Sequence, residues 1–187
     1  PIYNKYSELF ITRVEKLISV INKEDPKALS IAENIIRRLA LWMTYEDIPR
    51  VAQLKIKPDR FIKIKNEINI QSNQILFVQD IFKPGKNEIA AMLPSKIGKW
   101  VIKNKKIVSR LPFIGKGMKI NSSTIFGFIV LKFLSSFRYI RPISLRYKEE
   151  QRNIDIWIDN IILSLNKSIS FTEGLADMPQ ILKGYEI

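Results

Sequence analysis

The sequence predicts a mainly α-helical protein, a single domain of six or seven helices. Apolar residues recur every three or four positions along most of the 187 residues, which is the spacing of one helix face. The 7 glycines are few for a sheet-rich fold. An apolar fraction of 46% and a charged fraction of 26% are ordinary for a globular domain. We therefore expect residues 1–187 to form one domain.

Two amphipathic helices are predicted in the first 50 residues. Residues 4–22 form the first, from their apolar spacing. Asp25 is the predicted N-cap of the second, with Pro26 at its first helical position, and this helix extends to about residue 46. Pro49 marks a kink or a new start, because proline cannot continue the hydrogen-bonding of a helix interior.

A long helix is predicted from Pro58 to Phe82. Residues 61–65 also alternate with period two, so a strand remains an alternative there. Length and the later three-to-four spacing favour the helix. Its apolar stripe consists of Phe61, Ile64, Ile68, Ile75, Val78 and Phe82.

The next region is predicted to contain a kinked helix, a loop and an apolar helix. Asn87 caps the first helix, which Pro94 kinks. Residues 103–121 show no period and predict a basic loop, with a small hairpin as an alternative. Residues 125–137 form a very apolar helix, too short for a bilayer, which needs about 20 apolar residues. We therefore expect a buried central helix.

The last two helices are predicted to begin at Ser144 and near Phe171. The final helix ends before Gly184, a typical position for a helix-terminating glycine. The tryptophans lie on apolar stripes and are predicted to be core residues. They are Trp42, Trp100 and Trp157.

Two absences from the composition narrow the possible functions. Without cysteine, this chain can supply no disulfide, thiolate nucleophile or iron–sulfur ligand. Without histidine, it can form neither a Ser-His-Asp triad nor a zinc site of the usual type. No signal peptide opens the sequence, so we expect a cytoplasmic protein. Because Pro1 stands where an initiator Met would be, we expect a segment of a longer chain.

The positive charge is concentrated in one part of the sequence. The 31 Lys and Arg exceed the 18 Asp and Glu by 13, and residues 101–148 carry 11 basic residues and no acidic ones. This stretch predicts an anionic partner, or a basic face that is solvated or pairs with the acidic tail. Nucleic acid is the less favoured partner, because arginines and aromatics are not interleaved. The candidate patch comprises Lys103, Lys105, Lys106, Arg110, Lys116 and Lys119.

A second charged cluster lies at a predicted helix junction. Arg50 follows Glu46 by four residues and Asp47 by three, spacings at which side chains meet on a helix. We interpret the cluster as an ion-pair network that fixes the angle between two helices. A ligand-facing or interface cluster remains an alternative, whereas nearby cations disfavour a general acid. The members are Tyr45, Glu46, Asp47, Arg50, Lys55 and Arg60.

Ordered blocks of the sequence resemble a known family. They are LWMTYED at 41–47, RVAQLK at 50–55, GKW at 98–100, FGF at 126–128, SLRY at 144–147, and the closing Lys183, Gly184 and Tyr185. These blocks, in their order over residues 6–185, are similar to the C-terminal helical region of the indolepyruvate oxidoreductase beta-subunit family. The terminal Lys-Gly-Tyr joins the charged cluster as a candidate structural or interface element.

The resemblance implies a non-catalytic accessory or assembly domain. Enzymes of that family oxidatively decarboxylate 2-oxo acids with thiamine diphosphate, coenzyme A and ferredoxin. Thiamine diphosphate and the iron–sulfur clusters are expected elsewhere in the parent complex, and no catalytic, cofactor or metal site is expected in this segment. The implied partners are a gamma-type domain, the thiamine-binding subunit and ferredoxin, with no membrane.

Ferredoxins are usually acidic, so the acid-free stretch 89–148 is a candidate docking face for one. The alternative function is a free-standing basic helical module that binds nucleic acid or another anionic partner.

Overall fold

The computed structural model describes residues 2–44, 47–71, 74–83, 85–104, 106, 117–165 and 167–183. Within these ranges the chain is mainly helical, as predicted, with one two-stranded sheet. The helices are α1 (Ile2–Ile18), α2 (Pro26–Met43), α3 (Ile48–Lys55), α4 (Pro58–Glu67), α5 (Lys86–Met92), α6 (Ser95–Lys103), α7 (Ile125–Ser136), α8 (Leu145–Leu165) and α9 (Ile169–Lys183). The strands are β1 (Gln79–Phe82) and β2 (Met118–Asn121), and a 3₁₀ helix spans Phe137–Ile143.

The chain divides into two compact units, each with its own buried core. The first comprises Pro1–Tyr45 and Glu150–Ile187, and the second Glu46–Glu149. That residues 1–187 form one domain stays a prediction.

The first unit is a helical assembly of α1, α2, α9 and the part of α8 beyond residue 149. Asp25 caps α2 by accepting a hydrogen bond from the Lys27 backbone N–H at 2.9 Å, with Pro26 at the first position, as predicted. Trp42 and Trp157 lie in the core and meet edge-on, with ring centroids 5.6 Å apart. Their predicted core placement is confirmed, because both stripes face the same apolar interior.

A buried arginine joins α1 to α8 inside the first unit. Arg13 donates from Nε and Nη2 to Asp155 Oδ1 at 3.0 and 2.7 Å. Its Nη1 donates to Gln151 Oε1 at 2.7 Å. Because a buried charge is costly unless it is paired and hydrogen-bonded, these bonds fix how the two helices lie against each other.

The second unit is built around the small sheet and two helices. β1 and β2 are antiparallel, with Gln79 opposite Asn121 and Phe82 opposite Met118. Helices α3 and α7 pack together. The apolar core beside the sheet consists of Ala52, Phe82, Ile120 and Leu131.

One glycine allows α7 to begin directly after β2. Thr124 caps the helix by accepting from the Gly127 backbone N–H at 3.2 Å. A Cβ atom at Gly127 would overlap the carbonyl oxygen of Asn121, the last residue of β2. A side chain at this position would therefore force the helix away from the strand.

Two predicted helices have different boundaries in the structure. The long helix from Pro58 to Phe82 is wrong, because α4 ends at Glu67, and the chain later forms β1. Asn69 has a φ of 50°, which is outside the right-handed helical region, so the helix cannot continue through it. Residues 79–82 are extended because they pair with β2. The strand alternative at 61–65 is also wrong, since these residues lie in α4.

The predicted helix kinked at Pro94 is two helices, α5 and α6. Pro94 lies in an extended bridge to Ser144, and the Leu145 N–H donates to the Leu93 carbonyl at 3.0 Å. These long-range contacts separate the helices. Trp100 on α6 is exposed, so its predicted core placement is wrong.

The predicted basic loop at 103–121 is only partly described. Lys103 belongs to α6, and residues 118–121 form β2, which pairs with β1 rather than within the loop. Residues 105 and 107–116 lie outside the described residues. The described chain holds nine α-helices, more than the predicted six or seven.

Replacing Gly127 with alanine should destabilise the second unit. Overlap with Asn121 should cost about 1 to 3 kcal/mol, net of the better helix propensity of alanine. Urea unfolding of both chains measures this difference. The matched control is Gly174→Ala in α9, where a Cβ meets no heavy atom within 4 Å. The control should be neutral or stabilising by up to about 1 kcal/mol, and equal effects of both variants would contradict the steric explanation.

Candidate functional site

A buried carboxylate, that of Asp80 on β1, lies at the centre of a cluster of polar contacts in the second unit. Only 5% of the residue is exposed. Arg60, from α4, binds the carboxylate with two hydrogen bonds, from Nη1 to Oδ2 at 3.0 Å and from Nη2 to Oδ1 at 2.8 Å. Lys55, the last residue of α3, places Nζ 2.8 Å from Oδ1. One acidic side chain therefore holds two cations from two helices.

Further hydrogen bonds tie this cluster to the backbone. Arg60 Nη1 also donates to the Lys55 carbonyl at 3.0 Å and to Ser122 Oγ at 3.3 Å. Ser122 Oγ donates to the Val78 carbonyl at 3.2 Å. The ends of α3, α4, β1 and β2 therefore converge on one polar centre, which we call the Asp80 cluster (Lys55, Arg60, Asp80 and Ser122).

The Asp80 cluster keeps its carboxylate ionised. Burial acts to raise the pKa of Asp80, but hydrogen bonds from Lys55 and Arg60, together with the Arg60 charge, outweigh it. The pKa therefore lies below the ordinary value of 3.8. A general acid would require a raised pKa, so the geometry favours a structural role.

A second carboxylate is bound in a similar way. Asp47 caps α3 by accepting from the Arg50 backbone N–H at 2.9 Å. The same carboxylate accepts two hydrogen bonds from Arg141, from Nε at 2.9 Å and Nη2 at 2.8 Å. Since Arg141 lies in the 3₁₀ helix after α7, this pair links the start of α3 to the end of α7.

The structure distributes the predicted charged cluster between two centres. Asp47 binds Arg141, whereas Lys55 and Arg60 bind Asp80. The Arg50 guanidinium donates to Gln53 Oε1 at 2.9 Å. The contact between Arg50 and Asp47 is made instead by the backbone N–H of Arg50, which donates to the Asp47 carboxylate. Tyr45, Glu46, Gly184 and Tyr185 lie outside the described residues, and Lys183 is the last residue of α9.

The predicted basic patch is described at three of its six positions. Lys103 ends α6, Lys119 is exposed on β2, and Lys106 is exposed. Lys105, Arg110 and Lys116 lie outside the described residues. An anionic partner for this patch stays a prediction.

Sequence reasoning did not identify Asp80 as a centre of the site. A usable signal was present, because Asp80 is the one acid between Glu67 and Glu88 and lies in an apolar run. A carboxylate in such a run must find cations if the run is buried. Its partners Lys55 and Arg60 are 25 and 20 residues away in sequence, which periodicity cannot reveal.

Helix α7 presents an apolar face to solvent. Ile125 is 82% and Phe126 78% exposed, and Ile129 and Phe133 are exposed one and two turns further on. The prediction of a buried central helix is therefore wrong. Only its opposite side, with Gly127, Leu131 and Ser135, packs against the unit. Contiguous exposed apolar surfaces of this kind mark interaction sites. We call the exposed set (Ile125, Phe126, Ile129 and Phe133) the α7 face.

The described residues contain neither a candidate metal cluster nor a candidate membrane-spanning helix. Among them, no cluster of three or more His, Cys, Asp or Glu side chains is placed to hold a metal ion. No described helix combines the length and apolar composition needed to cross a membrane.

Comparison with protein families assigns the chain over almost its whole length. Residues 3–187 match the family described as "Family of unknown function (DUF6537)". The chain belongs to this family. No curated protein and no solved structure matches it.

Removing the charge of Asp80 should destabilise the second unit of this DUF6537 chain. Asp80→Asn leaves Lys55 and Arg60 without their shared anion, at a cost of about 3 kcal/mol at pH 7. Urea unfolding measures the loss. Glu67→Gln, which removes an exposed partner of Lys63, should change stability by less than about 0.5 kcal/mol.

The pH dependence of the stability of the wild type and Asp80→Asn tests whether the loss of stability is electrostatic. Because the folded pKa of Asp80 is lowered, its contribution is present above the ordinary pKa of 3.8 and is lost as pH falls through the lowered value. The stability difference between wild type and Asp80→Asn should therefore be constant at neutral pH and shrink below pH 3.8. A stability difference between the two chains that stays the same from neutral pH to below pH 3.8 would contradict an electrostatic origin.

Proposed function

We propose that this chain is a helical accessory and assembly domain of a thiamine diphosphate-dependent 2-oxoacid:ferredoxin oxidoreductase of the indolepyruvate type. The ordered sequence blocks over residues 6–185 support the choice of enzyme class. The single structural observation that carries the assembly role is the α7 face. In this proposal the partners are a gamma-type domain and the thiamine-binding subunit, in the cytoplasm.

The α7 face is large enough to contribute substantially to an interface. Burying an Ile or Phe side chain contributes about 1.5 to 3 kcal/mol. Four such side chains would supply at most about 6 to 12 kcal/mol, against an association cost of about 4 to 15 kcal/mol. Apolar burial at α7 therefore accounts for much of the association energy, and further contacts are needed for a stable complex.

The proposed enzyme's cofactors would be bound by other parts of the complex. Iron–sulfur clusters are held chiefly by cysteine thiolates, and this chain has no cysteine. The carboxylates of Asp47 and Asp80 are already bound to arginine and lysine. The residues present therefore fit scaffold chemistry better than cofactor binding.

The charge of the second unit supports an acidic partner. Residues 46–149 contain 21 Lys and Arg against 7 Asp and Glu, a net charge of +14. The remaining residues contain 10 basic and 11 acidic side chains, a net charge of −1. A strongly basic surface accelerates encounter with an acidic protein, and ferredoxin is the proposed acidic partner.

The composition of the native assembly tests the proposed function. The polypeptide that carries this sequence is isolated anaerobically from its source, and its mass, iron and thiamine diphosphate are measured. We expect a complex that holds both cofactors and reduces ferredoxin with an apparent KM that rises with salt.

A chain of 21.8 kDa that purifies alone, without either cofactor, would contradict the proposal. Nucleic acid binding with a steep loss of affinity in salt would then support the alternative module.

Charges placed on the α7 face should prevent assembly without unfolding the chain. The variant carries Phe126→Glu and Phe133→Glu, both at exposed positions, so its urea stability should change by less than about 0.5 kcal/mol per site. Size-exclusion chromatography should show loss of the partner subunits. The control is Leu163→Glu on α8, exposed to a similar fraction as Phe133. Assembly that survives in the double variant would exclude the α7 face as the interface.

A further inference from the structure

The segment that leads into β1 has one buried and one exposed side. Asp80 and Phe82 are buried, whereas Ile75, Phe77 and Ile81 are exposed, the last two at 72% each. This alternation is the two-residue period of an extended strand. The exposed side thus carries these three apolar side chains together with Gln79, and no described part of the chain covers it.

The hydrogen-bond register fixes which backbone groups point away from β2. The Ser122 N–H donates to the Val78 carbonyl at 2.9 Å, so these opposite residues form a hydrogen-bonded pair. In antiparallel sheets, bonded and non-bonded pairs alternate, so the next pair, Gln79 and Asn121, directs its backbone groups outward. The outward N–H and C=O groups of this edge belong to Phe77, Gln79 and Ile81.

The outer edge of β1 has the backbone geometry to bind another extended strand. Within the described residues the sheet has two strands, and β1 has β2 on one side only. Outward backbone donors and acceptors at alternate residues match another extended strand. The exposed Phe77 and Ile81 would pair with apolar side chains of that strand, since aromatic and β-branched residues stabilise cross-strand pairs.

The positive charges near this edge indicate which side chains the added strand would carry. Lys119 lies opposite Ile81 and is exposed, and Lys83 directly follows β1. The unit as a whole carries a net charge of +14, which disfavours a second copy of the same unit at this edge. A strand with carboxylates at its polar positions is complementary to both the edge and its surroundings.

We propose that the outer edge of β1 accepts an extended acidic segment of a partner subunit as a third strand. The proposal rests on the proposed function for the assembly in which that partner occurs. The edge and the α7 face both belong to the second unit.

Amide hydrogen exchange in the native assembly tests the proposal without any substitution. The purified assembly is compared with the chain separated from its partners by salt. The N–H groups of Phe77, Gln79 and Ile81 should exchange on the order of 100-fold more slowly in the assembly. Those of Asp80 and Phe82, which face β2, should change little.

The outcomes separate this proposal from the proposed function. Fast exchange at the three outward amides in an assembly that holds thiamine diphosphate overturns the edge proposal alone. Slow exchange in an assembly without thiamine diphosphate supports the edge proposal and overturns the proposed function. If the three outward amides are protected in a homodimer, the proposal of an acidic partner is wrong. If the chain is isolated as a free monomer, the edge proposal and the proposed function are both wrong.

A pair of proline variants gives an independent test in the full chain. Gln79→Pro removes an outward N–H of β1, and Asn121→Pro removes the N–H directly opposite, which points to the outer edge of β2. Both are checked by urea unfolding before use. Gln79→Pro should weaken partner binding at least tenfold, whereas Asn121→Pro should leave it unchanged. Ile81→Glu, which repels an acidic strand without altering the backbone, should weaken binding as well, and full binding by both β1 variants would overturn the proposal.

Discussion

The second unit depends on the charge pairing of one buried carboxylate. Withdrawing Asp80 from water costs several kcal/mol unless its charge is matched by well-placed donors. Those donors come from α3 and α4, and Ser122 in the turn after β2 accepts a further hydrogen bond from Arg60, so these elements must be correctly placed together before the carboxylate is stabilised. The Asp80 cluster therefore defines where the sheet lies relative to α3 and α4, and much of the unit's architecture follows from it.

The same requirement determines what the second unit presents to solvent. Asp47 and Arg141 link the start of α3 to the 3₁₀ helix that follows α7. Gly127 lets α7 begin in contact with the end of β2. These contacts fix both ends of α7. The helix therefore buries Gly127, Leu131 and Ser135 and exposes its larger apolar side chains to solvent. Polar groups thus organise the interior, while apolar groups form the exposed surface that the proposed assembly role uses.

The first unit is stabilised differently. Its core is apolar, with an edge-on tryptophan pair, and its one buried guanidinium, Arg13, is bound by Asp155 and Gln151. Its net charge is close to zero, at −1, whereas the second unit carries the positive charge of the chain. The candidate interaction surfaces are accordingly found on the second unit. The strand edge and the α7 face lie there beside a cationic surface, a combination that favours an acidic partner.

The sequence by itself determined the helical class, the capped start of α2, and the core positions of Trp42 and Trp157. Caps and apolar stripes act within about four residues, so they can be read from local spacing. The tertiary structure decided that residues 79–82 form a strand, that Trp100 and the α7 face are exposed, and that Lys55 and Arg60 bind Asp80. The strand and the charge pairs depend on partners 20 or more residues away, since pairing of strands and burial of charge are set by contacts between distant segments.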